Sequence, residues 1–127
     1  MTRTSTFQHA CYRVGDITKS LAFYAALGFE ERRRFEISDT ETKVMVGLPG
    51  DGDRLGLTYL DGVDAYDLGT GYNHIALTVV DMADTLERLA VLDCAPEEPP
   101  YRPRPNGSLV AFVRDPDGYR IELIEKA

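Results

Sequence analysis

Apolar residues recur along this chain with two periods, and the switches between them predict its elements. Ile17, Leu21, Tyr24 and Leu27 follow i, i+4, i+7, i+10, which is one face of a helix. Met82, Leu86, Leu89 and Leu92 repeat that spacing about 65 positions later. Asp16 and Asp81 precede the two runs as N-caps, where a carboxylate accepts from unpaired first-turn amides. Strand-like runs follow at Glu30 to Ile37, Lys43 to Leu48 and Arg54 to Leu60, then at Ser108 to Arg114 and Tyr119 to Glu125. The last two are joined by Asp115-Pro116-Asp117-Gly118, whose Pro and Gly suit a tight turn. Between the second helix and Ser108, Pro96, Pro99, Pro100, Pro103 and Pro105 restrict any strand to an edge or a loop, because Pro cannot donate to a ladder.

The helices belong to a longer internal repeat. At the same offset Phe7-Gln8-His9-Ala10 falls on Tyr72-Asn73-His74-Ile75, Val14 on Val79 and Asp16 on Asp81. The pattern predicts an α+β chain built as βαβββ twice, with the junction between Asp61 and Gly71. Residues 1–127 then form one domain, made of a first module at 6–61 and a second at 71–127. Each module has about 60 residues, a size at which a core is marginal alone.

Charge narrows the partners. Fourteen Lys and Arg stand against 21 Asp and Glu, a net charge of -7 in 127 residues. That balance disfavours nucleic acid and anionic membranes, which need clustered cations. No apolar stretch approaches the roughly 20 residues of a membrane span. Cys11 and Cys94 form no CxxC pair, so two free thiols in a reducing compartment are expected. The expectation is a soluble, cytoplasmic protein with a small-molecule partner.

Strand alternation places the candidate chemistry. Ala10, Tyr12 and Val14 oppose His9, Cys11 and Arg13; Ile75, Leu77 and Val79 oppose His74, Ala76 and Thr78; Ile121 and Leu123 oppose Glu122. A single strand histidine is usually a hydrogen-bonded structural residue. Here the chain's two histidines occupy one repeat position and face away from the helices, so His9, His74 and Glu122 are expected to share the concave face. Two His and one carboxylate suit a catalytic zinc or a non-haem iron(II). Laying Leu55-Gly56-Leu57 on Ile121-Glu122-Leu123 makes Gly56 the partner of Glu122, so the pseudosymmetric set has three ligands where four would be expected.

These residues carry a family resemblance. Arg13-Val14-Gly15-Asp16, Phe23-Tyr24, Leu27-Gly28-Phe29, the junction Gly62-Val63-Asp64, Tyr66, Leu68-Gly69-Thr70, Tyr72, His74-Ile75-Ala76-Leu77, and the end Asp115-Pro116-Asp117-Gly118-Tyr119 and Ile121-Glu122-Leu123-Ile124-Glu125 resemble the vicinal oxygen chelate superfamily. The junction is most similar to its glyoxalase I (lactoylglutathione lyase) branch. The resemblance implies curved mixed sheets around a central cleft, and Ni(II) or Zn(II) held by two His and two Glu, commonly with ligands from both subunits of a homodimer. It assigns His9, His74 and Glu122 as ligands, Glu122 also as proton shuttle, and Arg13 and Arg104 as substrate-binding residues. Where the family has Leu-Glu-Leu-Thr-Tyr, this chain reads Leu55-Gly56-Leu57-Thr58-Tyr59, and Leu60 replaces the Asn that usually follows.

The leading expectation is a metal-dependent, glyoxalase I-like lyase or isomerase acting on a thiol hemithioacetal of methylglyoxal or a related vicinal-oxygen substrate, with a low-molecular-weight thiol as cosubstrate. One alternative is an extradiol dioxygenase-like enzyme using iron on the two-His, one-Glu set. Another is a metal-free small-molecule binding or bleomycin-type resistance protein. Arg32-Arg33-Arg34 reads as a solvated strand edge and Cys11 as a small space-filler beside the site.

Overall fold

The computed structural model describes residues 3–127. In chain order its elements are β1 (Ala10–Arg13), α1 (Ile17–Ala26), β2 (Glu30–Glu36), β3 (Glu41–Gly47), β4 (Leu55–Leu60), β5 (Ile75–Thr78), α2 (Met82–Ala90), β6 (Leu109–Arg114) and β7 (Arg120–Glu125). They form an α+β fold of two mixed sheets, ordered β1-β4-β3-β2 and β5-β7-β6. In each, the strand before the helix pairs in parallel with the last strand of its half, β1 with β4 and β5 with β7; the remaining pairings are antiparallel. Among the described residues no helix is long and apolar enough to cross a membrane.

The repeat extends to the helix ends. Asp16 accepts from the Lys19 amide and Asp81 from the Asp84 amide, each at 3.1 Å. α1 closes at Gly28, φ 102°, with Gly28 N–H donating to Ala25 O and Phe29 N–H to Tyr24 O. α2 closes at the corresponding position, where Asp93 has φ 57° and the Asp93 and Cys94 amides donate to Ala90 and Leu89. Both ends use a left-handed residue to return the chain and satisfy the last carbonyls.

Alternation sorts the faces as expected. Val14, Val44, Val46, Leu55 and Leu57 bury beneath α1 with Tyr24, while Ile121, Leu123, Val113 and Leu89 form the second half of the same core. The proline segment contributes one isolated bridge, Tyr101 to Val110, in place of a full strand. The missing proline amides account for this. β2 is the edge of its sheet, and a register shift at Glu31/Arg33 turns Arg32 and Arg33 onto the same carboxylate, Asp53, at 2.9 and 2.7 Å. The arginine run is therefore a paired, solvated edge. Both cysteines are free.

A polar network joins the halves. Tyr12 stacks on Tyr119 with centroids 4.0 Å apart, and the Tyr119 hydroxyl donates to the Arg13 carbonyl. Tyr12 and Tyr24 hydroxyls are hydrogen-bonded, and Tyr24 donates at 2.7 Å to Asp115, which also accepts from the Asp117 and Tyr119 amides. Gly15 permits the junction to close, because a Cβ there would lie 2.1 Å from the Asp64 carbonyl oxygen. Burial pushes the Tyr12 and Tyr24 phenols well up, and burial is also the first cause of the raised Asp115 pKa, opposed by the bonds it accepts.

A carboxyl with a raised folded pKa stabilises the fold below its unfolded pKa and loses that contribution as pH rises through the folded value. Asp115→Asn keeps an acceptor for both amides and removes the ionisation. Urea unfolding from about pH 4 upward should then show a smaller fall in stability with pH for the variant than for the parent chain. Equal slopes would remove Asp115 from the account.

Candidate functional site

His9 and His74 are each the residue immediately before β1 and β5, so the repeat gives them equivalent positions on different sheets. In the second sheet Glu122 pairs in register with Ala76, one strand from His74. Glu122 Oε1 lies 3.3 Å from His74 Nε2. Asn73 Oδ1 lies 2.5 Å from His74 Nδ1. A carboxamide oxygen and a carboxylate oxygen both only accept, so Nδ1–H donates to Asn73 and the contact with Glu122 is closed by a proton between Nε2 and Oε1. Phe112 walls the pair, edge-on to His74 at 5.3 Å and carrying Arg120 over its ring at 3.7 Å. Glu97 holds Arg120 at 2.9 Å, and this ion pair pulls the Glu97 pKa down.

The first sheet presents a different set. Register places Cys11, Arg13, Lys43, Met45, Gly56 and Thr58 on one face. Cys11 Sγ lies 3.1 Å from Thr58 Oγ1, and Lys43 Nζ lies 3.5 Å from His9 Nε2. A pocket of about 430 Å³ opens on this face, lined in part by Cys11, Arg13, Glu41, Lys43 and Thr58. A larger cavity of about 650 Å³, bordered by Phe23, Cys94 and Asp115, includes none of the candidate site residues. The chemistry favours the smaller pocket, where Arg13 and Lys43, which form no ion pair among the described residues, meet polar side chains. Arg104 lies exposed on the proline loop, where its carbonyl accepts from Gly107, and does not line this pocket.

The expected ligands thus fall into two groups. Glu122 and His74 come together; His9 does not join them within one protomer, since no three His, Cys, Asp or Glu among the described residues gather to hold a metal ion. His74 Nε2 and Glu122 Oε1 at 3.3 Å hold a proton between them and could hold a cation in its place, so the second sheet offers two ligand atoms. The first sheet does not fit a metal. His9 meets an ammonium, and the position opposite Cys11 and Met45 is Gly56, which brings no carboxylate.

The description Glyoxalase/Bleomycin resistance protein/Dioxygenase superfamily matches residues 6–123. The chain belongs to this superfamily. Within it, the chain is 38% identical over 123 residues to a protein named lactoylglutathione lyase from Salmonella typhimurium, covering 92% of this chain and 90% of that one. It is 33% identical over 124 residues to lactoylglutathione lyase of Arabidopsis thaliana, covering 94% of this chain and 44% of the relative, so it spans less than half of that protein. Among solved glyoxalase structures, the trypanothione-dependent glyoxalase I of Leishmania major superposes with a TM-score of 0.79 at 33% identity, over 96% of this chain and 87% of that one.

Lys43 is the site residue that sequence reasoning missed. Its signal was a charged residue in phase with Met45 on a strand whose other residues become progressively buried. The phase with Gly56 needed the β3–β4 register, which the repeat does not specify.

Proposed function

We propose that the chain is a glyoxalase I-like isomerase or lyase acting on a small substrate with vicinal oxygens, such as the thiol hemithioacetal of an α-oxoaldehyde. The observation that carries this reading is the His74–Glu122 pair at 3.3 Å, with the His74 tautomer fixed by Asn73. Likeness to proteins named lactoylglutathione lyase supports it.

The reaction needs one carbon-bound proton moved to the neighbouring carbon. Glu122 takes the proton from the carbon bearing sulfur and hydroxyl, and the electron pair forms the enediolate while the adjacent carbonyl oxygen gains charge. Return of that proton to the second carbon, with the hydroxyl proton passing to the second oxygen, gives a thioester and an α-hydroxyl with no net redox. His74 orients Glu122. Arg13 anchors the anionic part of the substrate. Because His9 and Arg13 lie on one sheet and His74 and Glu122 on the other, the proposed working unit is a homodimer in which a second copy lays its first sheet over this pair. The first sheet, with Lys43 beside His9 and no carboxylate at Gly56, does not fit a metal, so the proton transfer rests on Glu122 and His74.

Purified protein should isomerise methylglyoxal premixed with glutathione or another low-molecular-weight thiol, read as thioester absorbance. Inertness toward all such adducts, with and without added nickel or zinc, would overturn the reading. Lys43 beside His9 favours a second reading, a metal-free binding protein, and ligand binding by that inert protein would support it.

A further inference from the structure

Gly56 and Lys43 form one feature. A Cβ at Gly56 would lie 3.1 Å from Lys43 Cε, 2.9 Å from Cys11 Sγ and 3.2 Å from Met45 Sδ. The missing side chain is therefore the space through which the Lys43 stem crosses the sheet to bring its ammonium to His9. Lys43 is half-buried and forms no ion pair among the described residues, nor does Arg13. Both line the 430 Å³ pocket, with Glu41 as its third charged lining group. Two cations and one anion leave a single positive charge facing the cavity.

We propose that Lys43, seated in the space left by Gly56, supplies beside His9 the positive charge of the site and, with Arg13, binds the carboxylate of a small α-oxo or α-hydroxy acid directly. The net single charge selects a monoanion: Glu41 repels the second charge of a phosphate dianion, whereas a carboxylate satisfies both cations with its two oxygens. His9 then accepts from Lys43 and holds the ammonium in place. This rests on reading the faces of His9 and His74 as the substrate site, and it goes beyond that reading by giving the first sheet a carboxylate ligand of its own.

Purified protein dialysed against a chelator is titrated calorimetrically with pyruvate, with lactate and with inorganic phosphate, alongside Lys43→Met and Lys43→Arg. The expected result is carboxylate binding without metal, weakened about 10- to 100-fold in Lys43→Met and largely retained in Lys43→Arg, with phosphate weaker than either acid. Circular dichroism of Lys43→Met confirms that it folds; if it does not, the same comparison is made with Lys43→Gln. Unchanged carboxylate affinity in the uncharged variant overturns the proposal, as does zinc shifting the His9 imidazole resonances of the parent protein at stoichiometric concentration. Phosphate binding as tightly as the acids overturns the carboxylate assignment. The lyase assay on the same samples separates the two readings. Activity without carboxylate binding sinks this proposal alone, and Lys43-dependent binding in a protein inert toward hemithioacetals sinks the isomerase reading alone.

Discussion

Glu122→Gln should lower kcat about 10²- to 10⁴-fold, the usual range for removing a positioned general base, while KM changes little. The variant is close to isosteric, and the Gln amide can donate to the His74 Nε2 lone pair that the Asn73 contact leaves free. Geometry at the pair is therefore kept and only the capacity to take a proton is lost. Substrate anchoring on the opposite sheet is untouched, which is why kcat carries the effect. Steady-state kinetics with the thiol adduct of methylglyoxal decide it. A kcat within about threefold of the parent enzyme would show that proton transfer uses another group.

His74→Gln gives a useful contrast. It keeps the carboxylate and removes its orienting partner, so Glu122 loses alignment and not basicity. A smaller fall in kcat than in Glu122→Gln is the result that assigns the proton to Glu122 and positioning to His74.

Much of this architecture is visible in the residues because it is local. The N-caps at Asp16 and Asp81, the helix faces and the inward side of each strand follow from period and cap chemistry, and the structure has them where the repeat implies. Even the left-handed turns at Gly28 and Asp93 keep the offset, although one residue is glycine and the other is not. The pairing of His74 with Glu122 was also within reach, since β5 and β7 had to lie side by side if the histidine and the carboxylate were to face one cleft. Non-local features were not legible. Placing His9 on the same face pattern as His74 says nothing about whether the two sheets bring them together in one protomer, and among the described residues His9, His74 and Glu122 do not gather as a three-ligand group. The proline run suppresses a strand that the repeat would restore, because donor loss at the ladder outweighs symmetry. Gly56 read in isolation is a lost ligand; only the register of β3 against β4 shows that its space is filled by the stem of Lys43.

That coupling makes a strong double-mutant test. Gly56→Glu alone places its carboxylate within reach of the Lys43 ammonium, after the lysine stem and Cys11 shift to admit the new Cβ. The new carboxylate then pairs with Lys43, so zinc affinity should rise less than about threefold, because an occupied carboxylate beside a cation is a poor ligand. Lys43→Ala alone removes the cation but supplies no donor, and should also gain little. Combined, the two changes add a carboxylate and delete a positive charge at the His9 half-site. The carboxylate, freed of its ammonium partner, faces the ion directly, an attraction of about 4 kcal/mol at 4 Å and an effective dielectric of 20 that partial exposure discounts to about 3 kcal/mol, on the order of a 10²-fold gain in zinc affinity. Competition with a chromophoric chelator measures all four proteins. A gain already present in Gly56→Glu would mean that Lys43 does not oppose metal at His9. A gain confined to the double variant makes glycine and lysine a single alternative to a carboxylate and a metal, since the space vacated by one side chain is the path the other takes.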